Sequence, residues 1–167
     1  EGARHLVETG ARAETRIVSF TVTEAGYGLD GAGRLDERDP GVAADLAALA
    51  RGGGANTIYG LLGAMLTLGR SEGGGPLTLL SCDNLRHNGT RLRRALLRFL
   101  ELAGDMPLRD WAQDHTGFPN AMVDRITPRP DAGVRARVLA ATGREDGAAV
   151  MSEPFRQWVI EEDFRGG

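Results

Sequence analysis

Residues 77–89 read LTLLSCDNLRHNG, a short apolar run that breaks into a dense cluster of hydrogen-bonding side chains. Leu77 to Cys82 has the length and composition of a strand. An earlier run, Arg16 to Thr23 (RIVSFTVT), is mostly apolar and rich in β-branched residues, and reads as a buried parallel strand. Helical periodicity fills the interval between them. Val42 to Ala50 reads as a short helix closed by Gly52, Gly53 and Gly54. Ile58, Leu61, Leu62, Met65 and Leu66 then fall on one apolar stripe, with Asn56 or Thr57 as cap. After the polar cluster, Leu92, Ala95, Leu96, Phe99, Leu100 and Ala103 mark another helix, opened by Asn88 or Thr90 and closed at Gly104. A short helix over Leu108 to His115, an extended segment over Ala121 to Ile126 and a helix over Val134 to Ala141 follow. Val150 and Phe155 to Ile160 read as extended structure. Strands alternating with helices predict a parallel α/β sheet. Such sheets bind ligands beyond the carboxyl ends of their strands. Residues 21–27 (TVTEAGY), 81–89 and 118–128 (FPNAMVDRITP) are therefore the candidate site.

Composition narrows the classes. A chain of 167 residues is one ordinary domain, large enough to bury a core. The net charge of −3 argues against a nucleic-acid partner, and no apolar run is long enough to span a membrane. Cys82 is the lone cysteine, so no internal disulfide can form, and with no secretory leader in view a cytoplasmic location is expected. Every basic residue is an arginine. No lysine of this chain can act as a general base, a Schiff-base former or a P-loop phosphate ligand.

Gly26 to Gly31 (GYGLDG) matches the dinucleotide pattern G-x-G-x-x-G, but a helix must begin at once for its free N–H groups to meet a pyrophosphate. Gly33 to Pro40 is no helix start, and a glycine-rich turn is the better reading. At the end of the 77–82 strand, the amide of Asn84 can donate to a carbonyl or developing alkoxide, and Asp83 can cap the next turn. His5, His87 and His115 stand too far apart in sequence for metal-ligand spacing. Asp124 and Arg125 lie inside an apolar run, where a buried carboxylate has to be paired or directed at a ligand. Arg91, Arg93, Arg94 and Arg98 read as a solvated helix face, and Trp111 and Trp158 as core or interface residues.

Four blocks in order resemble the mannitol dehydrogenase family, the long-chain polyol dehydrogenases. They are Arg16-Ile17-Val18-Ser19 through Tyr27, Ser81 through Gly89, Phe118 through Pro130, and Glu153 through Glu161. Within the family, Thr57-Ile58-Tyr59-Gly60, Arg86-His87-Asn88-Gly89 and Thr127-Pro128-Arg129-Pro130 look most like the D-arabinitol 4-dehydrogenases, with the mannitol 2-dehydrogenases as near relatives. The resemblance implies a metal-free oxidoreductase using NAD or NADP, which moves a hydride between the nicotinamide and a secondary alcohol of a polyol such as D-arabinitol or mannitol. A ketose is the product. It implies that Asn84 binds the reacting oxygen, that Thr23, Glu24, Asn84 and Val123 face the cofactor, and that Asp124 faces the substrate. The family's nucleotide-binding glycine turn has no copy here, nor does its Lys-x-x-x-x-Asn-x-x-His base motif. The chain is accordingly expected to be the C-terminal portion of an N-terminal Rossmann domain, a partial parallel sheet lacking the first βαβ unit and the helical substrate domain. Alone, it is expected to be inactive. A hexuronate (fructuronate or tagaturonate) reductase and a non-catalytic sugar- or nucleotide-binding module are the alternatives. The sequence leaves oligomeric state open.

Overall fold

A computed structural model describes residues 2–51 and 54–166. The chain divides into two compact units, Glu1–Met122 with Ile160–Gly167, and Val123–Val159.

The first unit opens with helix α1 (Gly2–Gly10) and strand β1 (Ile17–Phe20). Helices α2 (Pro40–Leu49) and α3 (Ile58–Ser71) lead to strand β2 (Leu77–Ser81). Helices α4 (Asn88–Leu102) and α5 (Met106–His115) lead to the two-residue strand β3 (Thr116–Gly117). The three strands are parallel in the order β1-β2-β3, with Phe20 opposite Ser81 and Leu77 opposite Thr116. Ala121–Asp124 (β4) and Gln157–Ile160 (β5) form a separate two-stranded sheet.

Helices α2, α3 and α5 start where a side chain takes orphan N–H groups. Asp39 accepts from Gly41 and Val42 with Pro40 in the first turn of α2, Thr57 accepts from Gly60, and Asp105 accepts from Leu108. The apolar stripes read from sequence become the core. Tyr59, Leu62 and Leu66 of α3, Leu79 of β2, and Leu92, Leu96 and Phe99 of α4 are all buried together. Tyr59 and Phe99 set their rings 6.0 Å apart, and the Tyr59 hydroxyl donates to the Tyr27 carbonyl at 2.6 Å. Removing such a side chain, as in Leu79→Ala, costs about 2–5 kcal/mol in lost transfer energy and cavity. A buried polar group helps fix the fold as well. Asp45 accepts from the N–H groups of Asn56 and Thr57 and from the Thr57 hydroxyl, holding the entry to α3.

Some expectations need correction. All five residues of β2 are buried, but β1 alternates between exposed and half-buried, and Ile17 is 47% exposed. Among the described residues β1 pairs with one neighbour, β2, so it is an edge rather than the covered strand expected. Gly53 and Gly52, read as part of the stop after α2, lie outside the described residues. Strand β3 was not legible: two residues carry no periodicity.

The second unit holds helix α6 (Ala132–Thr142), capped by Asp131 through the Val134 N–H. Glu153 bridges to the segment after β4, accepting from the Ile126 N–H at 2.6 Å and donating its own N–H to the Ile126 carbonyl. Asp124 and Arg125 are exposed, not inside an apolar core, and the Arg125 Nε donates to the Glu153 carbonyl rather than pairing with Asp124. Trp158, at 56% exposure, is no core residue in this chain.

Candidate strand-end site

The register Phe20 opposite Ser81 decides what meets what at the carboxyl edge of the parallel sheet. Two residues on, Val22 and Asp83 stand side by side. The last ladder bond is Cys82 N–H to the Phe20 carbonyl at 2.9 Å. Beyond it the Asp83 side chain takes over. Its carboxylate accepts from the Thr23 N–H at 2.8 Å, from the Val22 N–H at 3.1 and 3.2 Å, and from the Tyr27 hydroxyl at 2.8 Å. The Ser81 hydroxyl completes the group against Tyr27. A buried carboxylate is tolerated when several donors converge on it. Tyr27 lies in a one-turn 3₁₀ helix, Glu24–Tyr27, that follows directly from Thr23. Burial first, and the Asp83 charge with it, hold the Tyr27 hydroxyl well above the ordinary tyrosine range. Burial likewise raises the half-buried Cys82 thiol.

Asn88 performs the matching task on the other side of the loop. It is fully buried, and its Nδ2 donates to the carbonyls of Ser81, Asp83 and Ala121. Its Oδ1 accepts from the N–H groups of Gly89 and Ala121. The next orphan donor of α4, the Thr90 N–H, is capped by Asn120 Oδ1 from a different loop. Asn120 also donates to Glu161, and its backbone and side-chain N–H groups hold the Glu161 carboxyl below the ordinary range. Gly89 is required by close approach. A Cβ there would lie 2.3 Å from the Phe118 carbonyl oxygen.

Against this frame the sequence-predicted residues fall into two sets. Thr23, Glu24 and Asn84 are exposed at the adjoining ends of β1 and β2, gathered by Asp83. Val123 and Asp124, at the end of β4, belong to the second unit. The residues that build the site, Asp83, Tyr27, Ser81 and Asn88, were not singled out as its organisers. Their one sequence signal is polar residues packed between two apolar runs.

The glycine pattern 26–31 does not suit a pyrophosphate. After Gly28, in a left-handed conformation, the chain folds back through a Leu29–Leu35 bridge. Inside the pattern the Gly28 N–H donates to the Ala25 carbonyl and the Asp30 N–H to the Arg34 carbonyl, so neither is free to meet an anion. The strand ends instead offer the exposed Asn84 carboxamide and Thr23 hydroxyl above the buried Asp83, Ser81 and Asn88. No three His, Cys, Asp or Glu side chains gather to hold a metal among the described residues, and no described helix is long and apolar enough to cross a membrane.

The family described as mannitol dehydrogenase Rossmann domain matches residues 1–167. A D-arabinitol 4-dehydrogenase of Ralstonia nicotianae is 54% identical over 162 residues, covering 97% of this chain and 34% of that protein. A mannitol 2-dehydrogenase of Cereibacter sphaeroides is 44% identical over 97% of this chain and 33% of its own length. Among solved structures, the Pseudomonas fluorescens mannitol 2-dehydrogenase ternary complex with NAD and D-mannitol superposes with a TM-score of 0.86 at 42% identity, over 99% of this chain and 33% of that one. The chain thus spans about a third of the length of the relatives it matches.

Proposed function

The chain belongs to the mannitol dehydrogenase family, and on that premise we propose that it forms the nicotinamide-facing part of a polyol dehydrogenase that converts a secondary alcohol of D-arabinitol or mannitol to a ketose. The observation that carries this reading is Asn84, an exposed carboxamide standing just beyond the fully buried strand β2 and next to the clamp that gathers Thr23 and Glu24. NAD or NADP, held by Thr23, Glu24, Asn84 and Val123, would supply the hydride acceptor for the carbinol carbon.

The chain's own residues do the rest of what is assigned here. The Asn84 N–H₂ donates to the substrate oxygen and strengthens that bond as the oxygen gains negative charge. A single preorganised donor of this kind is worth about 10²–10³ in rate. Thr23 and Glu24 border the cofactor from the end of β1, Val123 lines it, and Asp124 contacts the substrate hydroxyls. The hydroxyl proton needs an acceptor. We assign the general base to a lysine in the two thirds of the relatives' length that this chain does not cover, together with the pyrophosphate-binding glycine turn and the helical substrate domain. In this reading residues 1–167 are the later portion of the Rossmann domain, the protein works without a metal in the cytoplasm, and its small-molecule partners are a polyol and the corresponding ketose.

The test is NADH or NADPH formation by the complete polypeptide on D-arabinitol, mannitol and, in reverse, fructuronate. Turnover on a polyol supports the proposal. Turnover on fructuronate alone assigns a hexuronate reductase, and no turnover on any of them refutes a dehydrogenase.

A further inference from the structure

We infer that Asp83 is a positioning residue for the strand-end site, holding Thr23 in a left-handed backbone conformation and thereby aiming Thr23, Glu24 and Asn84. The inference rests on the reading that these three residues meet cofactor and substrate. Thr23 has φ 63° and ψ 166°, a region that glycine enters freely and a β-branched residue does not. A conformation of that kind persists only where the surroundings over-determine it. Here the Gly26 N–H donates to the Thr23 carbonyl at 3.1 Å, and on the donor side the surroundings are one side chain. The ladder between β1 and β2 has ended, so the N–H groups of Val22 and Thr23 have no strand partner. The Asp83 carboxylate receives both, with its shortest backbone contact to Thr23 at 2.8 Å.

The carboxylate is itself fixed on every side. Tyr27 donates to Oδ2 from the far end of the 3₁₀ turn, so both ends of the segment 22–27 are tied to the same group. The Asp83 N–H donates to the Ser81 hydroxyl at 3.3 Å, and the Asp83 carbonyl is held by Asn88. Asn84 follows Asp83 directly in the chain. One buried residue therefore couples the backbone that carries Thr23 and Glu24 to the backbone that carries Asn84. Asp83 touches no reacting atom. Its effect is geometric, and misplacement of reacting groups by about 1 Å is enough to cost up to 10²-fold in rate.

Asp83→Asn keeps the side-chain volume but removes the charge and one acceptor oxygen. Amide hydrogen exchange resolved at single residues is measured on the intact protein. The Thr23 amide should exchange about tenfold faster or more in Asp83→Asn, with Leu79 in the buried strand β2 at its original rate. An unchanged Thr23, or an equal acceleration at Leu79, overturns the inference, because the latter is what a general loss of stability produces. Tyr27→Phe is the second variant, and decides if Asp83→Asn does not fold. It leaves both backbone donors on the carboxylate but frees its other end, and should accelerate Thr23 by roughly threefold, again without Leu79. In the complete polypeptide, Asp83→Asn should lower kcat for polyol oxidation about tenfold or more with KM nearly unchanged. A normal kcat in a variant whose Thr23 amide is freed overturns the positioning role. If the unaltered polypeptide oxidises no polyol, the functional reading fails, and the exchange measurement alone decides whether Asp83 sets the Thr23 conformation.

Discussion

Asn88 and Ala121 pair like neighbours in a sheet, although one of them contributes a side chain. Asn88 Nδ2 donates to the Ala121 carbonyl at 2.9 Å, and the Ala121 N–H donates to Asn88 Oδ1 at 2.8 Å. A carboxamide has the donor and acceptor geometry of a peptide group, so it can stand in for a strand. The pair joins the loop after β2 to the start of β4. Asn88→Ala strips the partners from three carbonyls and two N–H groups at once. It should lower stability by roughly 3 kcal/mol or more, measured by denaturant unfolding. Asn88→Asp should be no better, because it turns a donor toward three carbonyl oxygens into an acceptor.

Gly89→Ala should destabilise by about 1–3 kcal/mol, the usual cost of overpacking. The Phe118 and Pro119 carbonyl oxygens that the new methyl would meet at 2.3 and 2.4 Å are backbone, and cannot swing aside as a side chain would. Thermal unfolding compared with Gly104→Ala would separate packing from conformation. Gly104 has φ 78° and open space around it, so there the cost is conformational alone.

Asn84→Ala should leave stability within about 0.5 kcal/mol, as for an exposed residue outside any network. In the complete polypeptide it should cut kcat for polyol oxidation by about 10²-fold or more. Steady-state kinetics beside thermal unfolding checks both halves. A large loss of stability with a matching loss of soluble protein would make Asn84 a structural residue instead.

The 167-residue chain by itself should form no NADH from D-arabinitol or mannitol above a protein-free control. The lysine assigned above as base is not among its residues, and the twenty arginines that stand in place of lysine stay protonated at any working pH and cannot take the hydroxyl proton.

Stability should fall in alkaline solution. Burial pushes the Tyr27 and Tyr59 hydroxyls above the ordinary tyrosine value. The folded chain therefore keeps two protons that the unfolded chain releases from about pH 10 upward. Fewer protons on the unfolded state mean that stability is complete below that pH and declines above it. Denaturant unfolding at pH 8 and pH 11 should show the decline. Tyr59→Phe should remove part of it, since that variant has one fewer buried phenol to ionise.

Most of the helices and the two longer parallel strands were legible because each has a local cause. Stripes such as Leu92-Leu96-Phe99 need one buried face, and the caps Asp39, Thr57 and Asp105 act within three residues of themselves. The expectation that β1 is buried failed because burial depends on what lies beside and across a strand, which apolar content alone does not reveal. Asp124 misled in the same way. Its apolar neighbours in sequence suggested a covered carboxylate, yet it is exposed.

The sequence alone determined the α/β alternation, the polar strand ends and the lack of a lysine base, since periodicity, turn chemistry and residue identity are properties of neighbours along the chain. Only the tertiary structure decided that Asp83 reaches back 60 residues to hold Thr23, and that Asn88 reaches forward 33 to Ala121. Those bonds follow from strand register and parallel pairing. A buried acceptor takes whichever donors folding brings within 3 Å, and sequence distance does not enter into that choice.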